Sequence, residues 1–290
     1  MKFMVIGADG QLGTDLLKVI PMEEVLPLTA ADLDITDRNK VFELVYKHKP
    51  EMIVNTAGYS RVDEAESDAE GAFAVNVEGA RNLAQAAREI GAGLVHISTD
   101  YVFSGKKNSP YQESDRPEPL SVYARSKLAG EEAVAGTLNR SFIIRTSGLF
   151  GVAGCLGKGG GNFIDSVIAK GKMGRPFSVV DDQFFSPTYT MDLARKISQL
   201  SRTEKFGLFH VVNHGACSWY ELAVKTFELI GLTINFSPSR FAELNAATAA
   251  KRPSYSVLDN AHLRAVGLDD MRPWPEALSA YLLEKGVAAQ

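Results

Sequence analysis

Short hydrophobic runs alternate with stretches of helical periodicity along the first 150 residues. Segments 2–7, 25–29, 52–57, 94–98 and 142–146 are rich in β-branched residues and hydrophobic almost throughout, the pattern of strands covered by helices on both faces. Between them, 37–48 carries Val41, Leu44, Val45 and His48 at helical spacing. A longer segment, 69–90, sets Phe73, Val77, Ala80, Leu83, Ala84, Ala87 and Ile90 along one face. A further helix over 14–20 is stopped by Pro21. Strand–helix alternation on this scale predicts an α/β fold, a doubly wound parallel sheet of the Rossmann type.

The second half is less regular. It predicts helices over 162–172, 191–202, 219–230, 260–266 and 275–285, strands near 177–180 and 208–213, and a polar connection over 239–253. Segment 148–161 holds seven glycines, a composition that favours a mobile loop. The chain is therefore read as a sheet domain over 1–150 and a smaller lobe that fills most of 151–290, with sheet elements returning after 180.

Composition narrows the class. At 290 residues and 45% hydrophobic, the chain can bury a core without disulfides or metal. Lys and Arg number 31 against 35 Asp and Glu, and a net charge of −4 argues against a nucleic-acid binder. The two cysteines, Cys155 and Cys217, have no Cys-x-x-Cys spacing and read as incidental thiols of a reduced, cytoplasmic protein. The apolar start Phe3–Ile6 is too short for a signal peptide or a membrane span, so neither is expected. No His, Cys, Asp or Glu cluster has metal-ligand spacing, so no metal site is expected.

Three constellations carry chemistry. Gly7-Ala8-Asp9-Gly10-Gln11-Leu12-Gly13 follows the first strand and opens a helix. Glycines there let the backbone approach a pyrophosphate, whose charge sits at the helix N-terminus. A glycine-rich turn without ligand is the bland alternative, and the strand–turn–helix context disfavours it. Tyr123 and Lys127 lie four apart on a predicted helix, which puts phenol and ammonium on one face. A free tyrosine titrates near pH 10, and a neighbouring cation stabilises its phenolate enough for acid–base work. Such a pair alone is most often a solvated helix face. The third set, Ser98-Thr99-Asp100-Tyr101, ends the strand over 94–98 about 25 residues before that helix, at the edge where open α/β sheets bind ligands. Its hydroxyl can bond the carbonyl oxygen that a tyrosine protonates; turn capping is the alternative for Thr99.

Together with Leu33–Asp37, Asn55-Thr56-Ala57, Val62-Asp63, Leu128–Glu131, Arg145-Thr146-Ser147, Asp182-Gln183, Ser186-Pro187-Thr188, Asp192-Leu193-Ala194 and Arg252-Pro253, these motifs resemble the dTDP-4-dehydrorhamnose reductases. Those enzymes are extended short-chain dehydrogenases/reductases of dTDP-L-rhamnose synthesis, and the resemblance spans nearly the whole chain. It implies NAD(P)H-dependent reduction of the C4 ketone of a nucleotide-activated 6-deoxyhexose. It implies that Thr99, Tyr123 and Lys127 are catalytic. Gly7, Gly10, Gln11, Leu12, Gly13, Asp34, Ile35, Ala57, Gly58 and Tyr59, with Tyr123 and Lys127, would hold the cofactor. Thr99, Asp100, Gln183 and Arg252 would contact substrate, Arg252 through a phosphate that its fork can grip; a surface ion pair is the alternative for Arg252.

Two departures bear on specificity. The family often has tryptophan after Arg-Thr-Ser, where this chain has Gly148, and glycine where this chain has Phe185. If the two positions face each other, the Phe185 ring is expected to fill the volume of the missing indole beside the sugar. Cofactor preference inclines to NADPH, with NADH also open, because 28–32 ends the second strand without a tip acid for a ribose hydroxyl or an arginine for a phosphate. The expected partner is a nucleotide-sugar substrate, with no nucleic acid and no membrane, and a homodimer is left open. Two other readings stand beside this one: a different sugar-nucleotide reductase or epimerase on the same fold, and a non-catalytic nucleotide-binding regulatory subunit. The intact Thr99, Tyr123 and Lys127 weigh against the last.

Overall fold

Residues of the central strands alternate between two buried layers in the computed structural model, which describes residues 1–154 and 159–287. In β1 (Phe3–Ile6), Phe3 and Val5 join one apolar cluster while Met4 and Ile6 join another. That period of two, with no polar face, is what a strand buried on both sides requires. β2 (Val25–Leu28), β3 (Met52–Asn55), β4 (Gly93–Thr99), β5 (Ser141–Thr146) and the strand Gly207–His210 complete a six-stranded sheet. All its pairings are parallel, in the order Gly207–His210, β5, β4, β3, β1, β2.

The first layer packs Leu12 and Leu16 of α1 (Gln11–Val19) with Ile197 and Leu200 of the helix Thr190–Ser201. The second packs Val41 and Val45 of α2 (Arg38–His48) with Leu83 and Ala87 of the helix Ala80–Ile90. The order of succession reverses between β1 and β3, so the turns after those two parallel strands flank the crevice where open α/β sheets take their ligands. The remaining short strands pair outside this sheet, Phe177–Val180 with Phe236–Ser239, Phe184–Phe185 with Cys217–Ser218, and Leu149–Phe150 with Thr188–Tyr189. Phe150, Phe185, Tyr189, Leu222 and Tyr281 form a third cluster beneath them.

Several expectations need correction. β2 is the edge strand and only its last residue is buried; Pro27, which has no N–H to donate, suits that edge. The first helix starts at Gln11 rather than 14, because Gly10 is its N-cap and Gly13 lies inside it. The helix over 69–90 is broken into Ala69–Phe73, a π-helical stretch Ala74–Gly79 and Ala80–Ile90. The wider π turn shifts the phase, leaving Phe73 exposed while Val77 to Ala87 keep the buried face. The connection over 239–253 contains a helix, Phe241–Ala247. Strand 208–213 runs instead over Gly207–His210. Cys155, and with it part of the glycine-rich segment 148–161, lies outside the described residues. No helix among the described residues is long and apolar enough to cross a membrane.

Candidate active site

A cleft of about 1260 Å³ opens over the C-terminal ends of the sheet strands. Sites for one small ligand occupy roughly 300–1,000 Å³, so this one has room for a dinucleotide and a second molecule. At one end lies the glycine turn. Gly7 and Ala8 donate their N–H groups to Leu28 O at 2.9 and 3.0 Å, which ties the turn to β2. A Cβ on Gly13 would stand 2.1 Å from Gly7 O and 2.8 Å from Ala8 Cα, so only glycine lets the helix sit this close to the turn. Gly10 caps α1 without a side-chain acceptor, and its first turn carries no acid. The free N–H groups and helix dipole there suit an anion. Ala30, Leu33, Asp34 and Ile35 line the cleft beyond β2, while Asp32 turns away to accept from Thr29 N and Oγ1 at 2.9 and 2.7 Å.

Ala57, Gly58 and Tyr59 line the wall after β3. Buried Asn76, within the π-helical stretch, holds this wall: its Oδ1 accepts from Tyr59 N at 2.9 Å, and its Nδ2 donates to Ser126 Oγ at 2.9 Å. Asn76 belongs to no motif; its one mark in the sequence is that asparagine is a poor residue for a helix interior.

Thr99, Tyr123 and Lys127 all line the same cleft. Tyr123 and Lys127 share a face of the helix Val122–Ala135, which Ser121 caps by accepting from Ala124 N at 3.2 Å. Glu66 fixes the same end, accepting from Val122 N at 2.7 Å. The Tyr123 ring meets Tyr101 edge to face, centroids 6.2 Å apart. Lys127 is buried and donates to Ile97 O at 2.6 Å. A Cβ on Gly58 would lie 3.8 Å from its Nζ, which puts the ammonium directly under the wall that follows β3. Burial pushes the ammonium down to about 8, against the pull of Glu131.

The predicted substrate residues divide. Asp100 lines the cleft and is almost fully buried; its Oδ2 accepts from Ser256 at 2.6 Å and Ser147 at 2.8 Å, and its Oδ1 from Thr99 at 3.2 Å. Burial pushes this carboxyl up to about 6, with the three hydroxyls pulling it back down. Gln183 lines the cleft, but its amide is engaged by protein, accepting from Trp219 Nε1 at 3.0 Å and donating to Pro253 O at 2.9 Å. Arg252 is not among the lining residues. Its guanidinium grips Asp63 at 2.6 and 3.1 Å and hydrogen-bonds Tyr101.

Phe185 and Gly148 do face each other. Gly148 sits at φ +53°, and a Cβ there would stand 2.3 Å from the Phe185 ring. The ring stacks on Trp219, centroids 3.9 Å apart at 26°, and both aromatics line the cleft. Trp219, the first residue of the helix Trp219–Leu229, is a cleft residue that no local motif marks.

The residues present fit a nicotinamide dinucleotide. The glycine cradle has no room for a Cβ, and two buried polar atoms on the cleft wall, Gln11 Oε1 and Thr146 Oγ1, have no partner among the described residues. A doubly wound sheet with this cradle, and a Tyr–Lys helix beside a strand-end threonine, defines a short-chain NAD(P)-dependent oxidoreductase. The model of the RmlD substrate binding domain family matches residues 1–286. A dTDP-4-dehydrorhamnose reductase of Streptomyces griseus is 40% identical over 289 residues, covering 96% of this chain and 92% of that one. A dTDP-4-keto-6-deoxy-D-glucose reductase of Streptomyces niveus is 40% identical, covering 96% of this chain and 95% of that one. The crystal structure of dTDP-4-dehydrorhamnose reductase from Bacillus anthracis in complex with NADP is 40% identical with a TM-score of 0.92, covering 98% of this chain and 100% of that one. The chain belongs to the dTDP-4-dehydrorhamnose reductase family.

Proposed function

We propose that the chain reduces the C4 ketone of a nucleotide-activated 6-deoxyhexose, converting dTDP-4-dehydro-L-rhamnose to dTDP-L-rhamnose with NADPH as the preferred reductant. The observation that carries this reading is the meeting of Thr99, Tyr123 and Lys127 in one cleft with the glycine cradle. When bound, NAD(P)H supplies the hydride for the ring carbon. Tyr123 gives its proton to the C4 oxygen, and Thr99 holds that oxygen in line. Lys127 holds the cofactor's ribose hydroxyls and stabilises the phenolate that Tyr123 becomes. The turn Gly7–Gly13 and α1 carry the pyrophosphate, and Asp34, Ile35 and Ala57 to Tyr59 flank the rest of the cofactor.

Residues 1–150 thus carry the cofactor, with Thr99 and Asp100 among them reaching the sugar, and 151–290 serve mainly the sugar. Asp100 and Gln183 face the sugar, and Arg252 meets a phosphate by exchanging Asp63 for it. NADPH is favoured over NADH because the two acids beyond β2 are engaged locally, Asp32 by Thr29 and Asp34 by Thr36, and neither is held out toward a ribose hydroxyl. The setting is the cytoplasm, which suits a buried free thiol at Cys217. Sedimentation tests whether the active species is a homodimer.

A second reading is favoured by the Phe185–Trp219 wall against Gly148, which reshapes the sugar end. The relative from Streptomyces niveus is named for a keto sugar of the D-glucose series, and the substrate here is then a diastereomer of the rhamnose precursor. NADPH consumption measured against a panel of 4-keto nucleotide sugars decides between the two. Tyr123→Phe should lower turnover by about 10² or more while NADPH still binds. Near-normal turnover in that variant removes Tyr123 from the mechanism.

A further inference from the structure

Beneath the cleft lies a charge pair that the reaction, as described, does not use. Glu131 stands one helical turn beyond Lys127 and is 5% exposed; Arg145, beside Thr146 on β5, is 3% exposed. Arg145 donates through Nε to Glu131 Oε1 at 2.9 Å and through Nη2 to Oε2 at 2.6 Å. Glu131 Oε1 also accepts from Ser98 Oγ at 2.5 Å, and Ser98 immediately precedes Thr99 on β4. One carboxylate therefore joins the helix of Tyr123 and Lys127 to the two strand ends that carry Thr99 and Thr146. A buried ion pair is a poor device for stability alone, since apolar side chains of the same volume serve as well or better.

The charges that reach Lys127 are few. On its own helix Glu131 is the acid acting on it, and Tyr123 lies one turn the other way. From β4 it meets the Ile97 carbonyl and His96, which burial and then the Lys127 charge hold well below the usual histidine range. Asp100, on the turn after β4, is engaged by Thr99, Ser147 and Ser256. Arg145 lies behind Glu131, and His210 behind Arg145 is held neutral, pushed down to about 3 by burial and then by the Arg145 charge. Gly58, above the ammonium, brings no charge.

We propose that Glu131, clamped by Arg145 and Ser98, is a positioning residue for Lys127: it locks the Tyr123–Lys127 helix onto the ends of β4 and β5 and supplies the negative charge that the buried ammonium faces. This rests on the reading of Lys127 as a protonated partner of Tyr123 and the cofactor. Desolvation already brings the ammonium down to about 8. Losing Glu131 lowers it further, because Arg145 then stands unbalanced behind it, and Lys127 gives up its proton near neutral pH.

The test is the pH dependence of kcat/KM for NADPH consumption, read beside NADPH affinity. Glu131→Gln should move the alkaline limb toward acid by about one pH unit and weaken NADPH binding about tenfold at pH 8 but far less at pH 6. Glu131→Asp keeps the charge and should restore the wild-type limb at reduced kcat. Should Glu131→Gln fail to fold, Glu131→Gln with Arg145→Met leaves no unpaired charge, and its limb should fall between the other two. A folded double variant whose limb coincides with wild type would overturn the proposal and leave the pair purely structural. An alkaline limb that survives Lys127→Met would instead overturn the reading of Lys127, whatever Glu131 does.

Discussion

The two ends of the cleft, assigned by proposal to the cofactor and to the sugar, are built by different means. At the cofactor end the decisive contacts are made by backbone within a few residues: a turn tied to β2, a helix start without a side-chain cap, and a glycine that lets the two touch. At the sugar end they are made by side chains far apart in sequence. Asp100 meets Ser256 across 156 positions, Gln183 meets Pro253 across 70, and Arg252 meets Asp63 across 189. Local backbone geometry tolerates little substitution, whereas a side-chain assembly can exchange one part for another. The two ends should therefore respond differently to change.

The largest response is expected at the cofactor end. In Gly13→Val the new Cβ would overlap Gly7 O and Ala8 Cα, both backbone atoms with no rotamer to escape into. The turn must move by about an ångström, and NADPH affinity should fall by roughly 10² or more. A fluorescence titration with NADPH reads this directly. Near-wild-type affinity would show that the cradle adapts, and the contrast between the two ends would collapse.

That contrast also explains what could be read from the chain alone. The five strands of the first half and the Gly7–Gly13 turn were legible because their signals, hydrophobic continuity and glycine spacing, are local. Thr99, Tyr123 and Lys127 were legible because one helical turn and one strand end fix them. Arg252 and Gln183 were matched by motif, but nothing local announces that Asp63 grips the one and Trp219 the other. The exposed Phe73 was misread because a π turn changes the phase without changing the composition. Asn76 and Ser256 went unseen, and Ser147 entered only as part of a motif, because their partners are set by tertiary packing.

The sugar end also holds a charge at a cost, which gives a second prediction. The Asp100 carboxyl titrates near 6 in the fold, against about 3.9 in an unfolded chain. A raised acid contributes its stability fully below the unfolded value and loses it as pH rises through the folded one. Stability should therefore fall between about pH 4 and 6, by up to about 3 kcal/mol from this group. Asp100→Asn should raise the urea midpoint at pH 7.5, leave it little changed at pH 4, and slow turnover, because the three hydroxyls lose their charged acceptor. An Asp100→Asn protein less stable than wild type at pH 7.5 would mean that the hydroxyls outweigh the burial.

The most delicate test concerns whether one aromatic can stand in for another. Phe185 is held between Gly148 and Trp219, with no space for any side chain at position 148. Gly148→Trp alone should therefore be severe, since a new indole and the existing ring claim the same volume. Phe185→Gly alone opens the wall beside the sugar and strips the face of Trp219; KM for the nucleotide sugar should rise about tenfold, consistent with losing a ring's contact area. If the ring and the indole are interchangeable fillings, the double substitution should be better than either single one, with a coupling well outside additivity. Recovery should nevertheless stop short of wild type. Position 148 lies at φ +53°, and a side chain in the left-handed region costs roughly 1–2 kcal/mol. Steady-state kinetics on the four proteins measures the coupling, and a double variant no better than Phe185→Gly would mean that the two positions touch without sharing a function. In that case the stacking of Phe185 on Trp219, rather than its contact with Gly148, would be what shapes the sugar end.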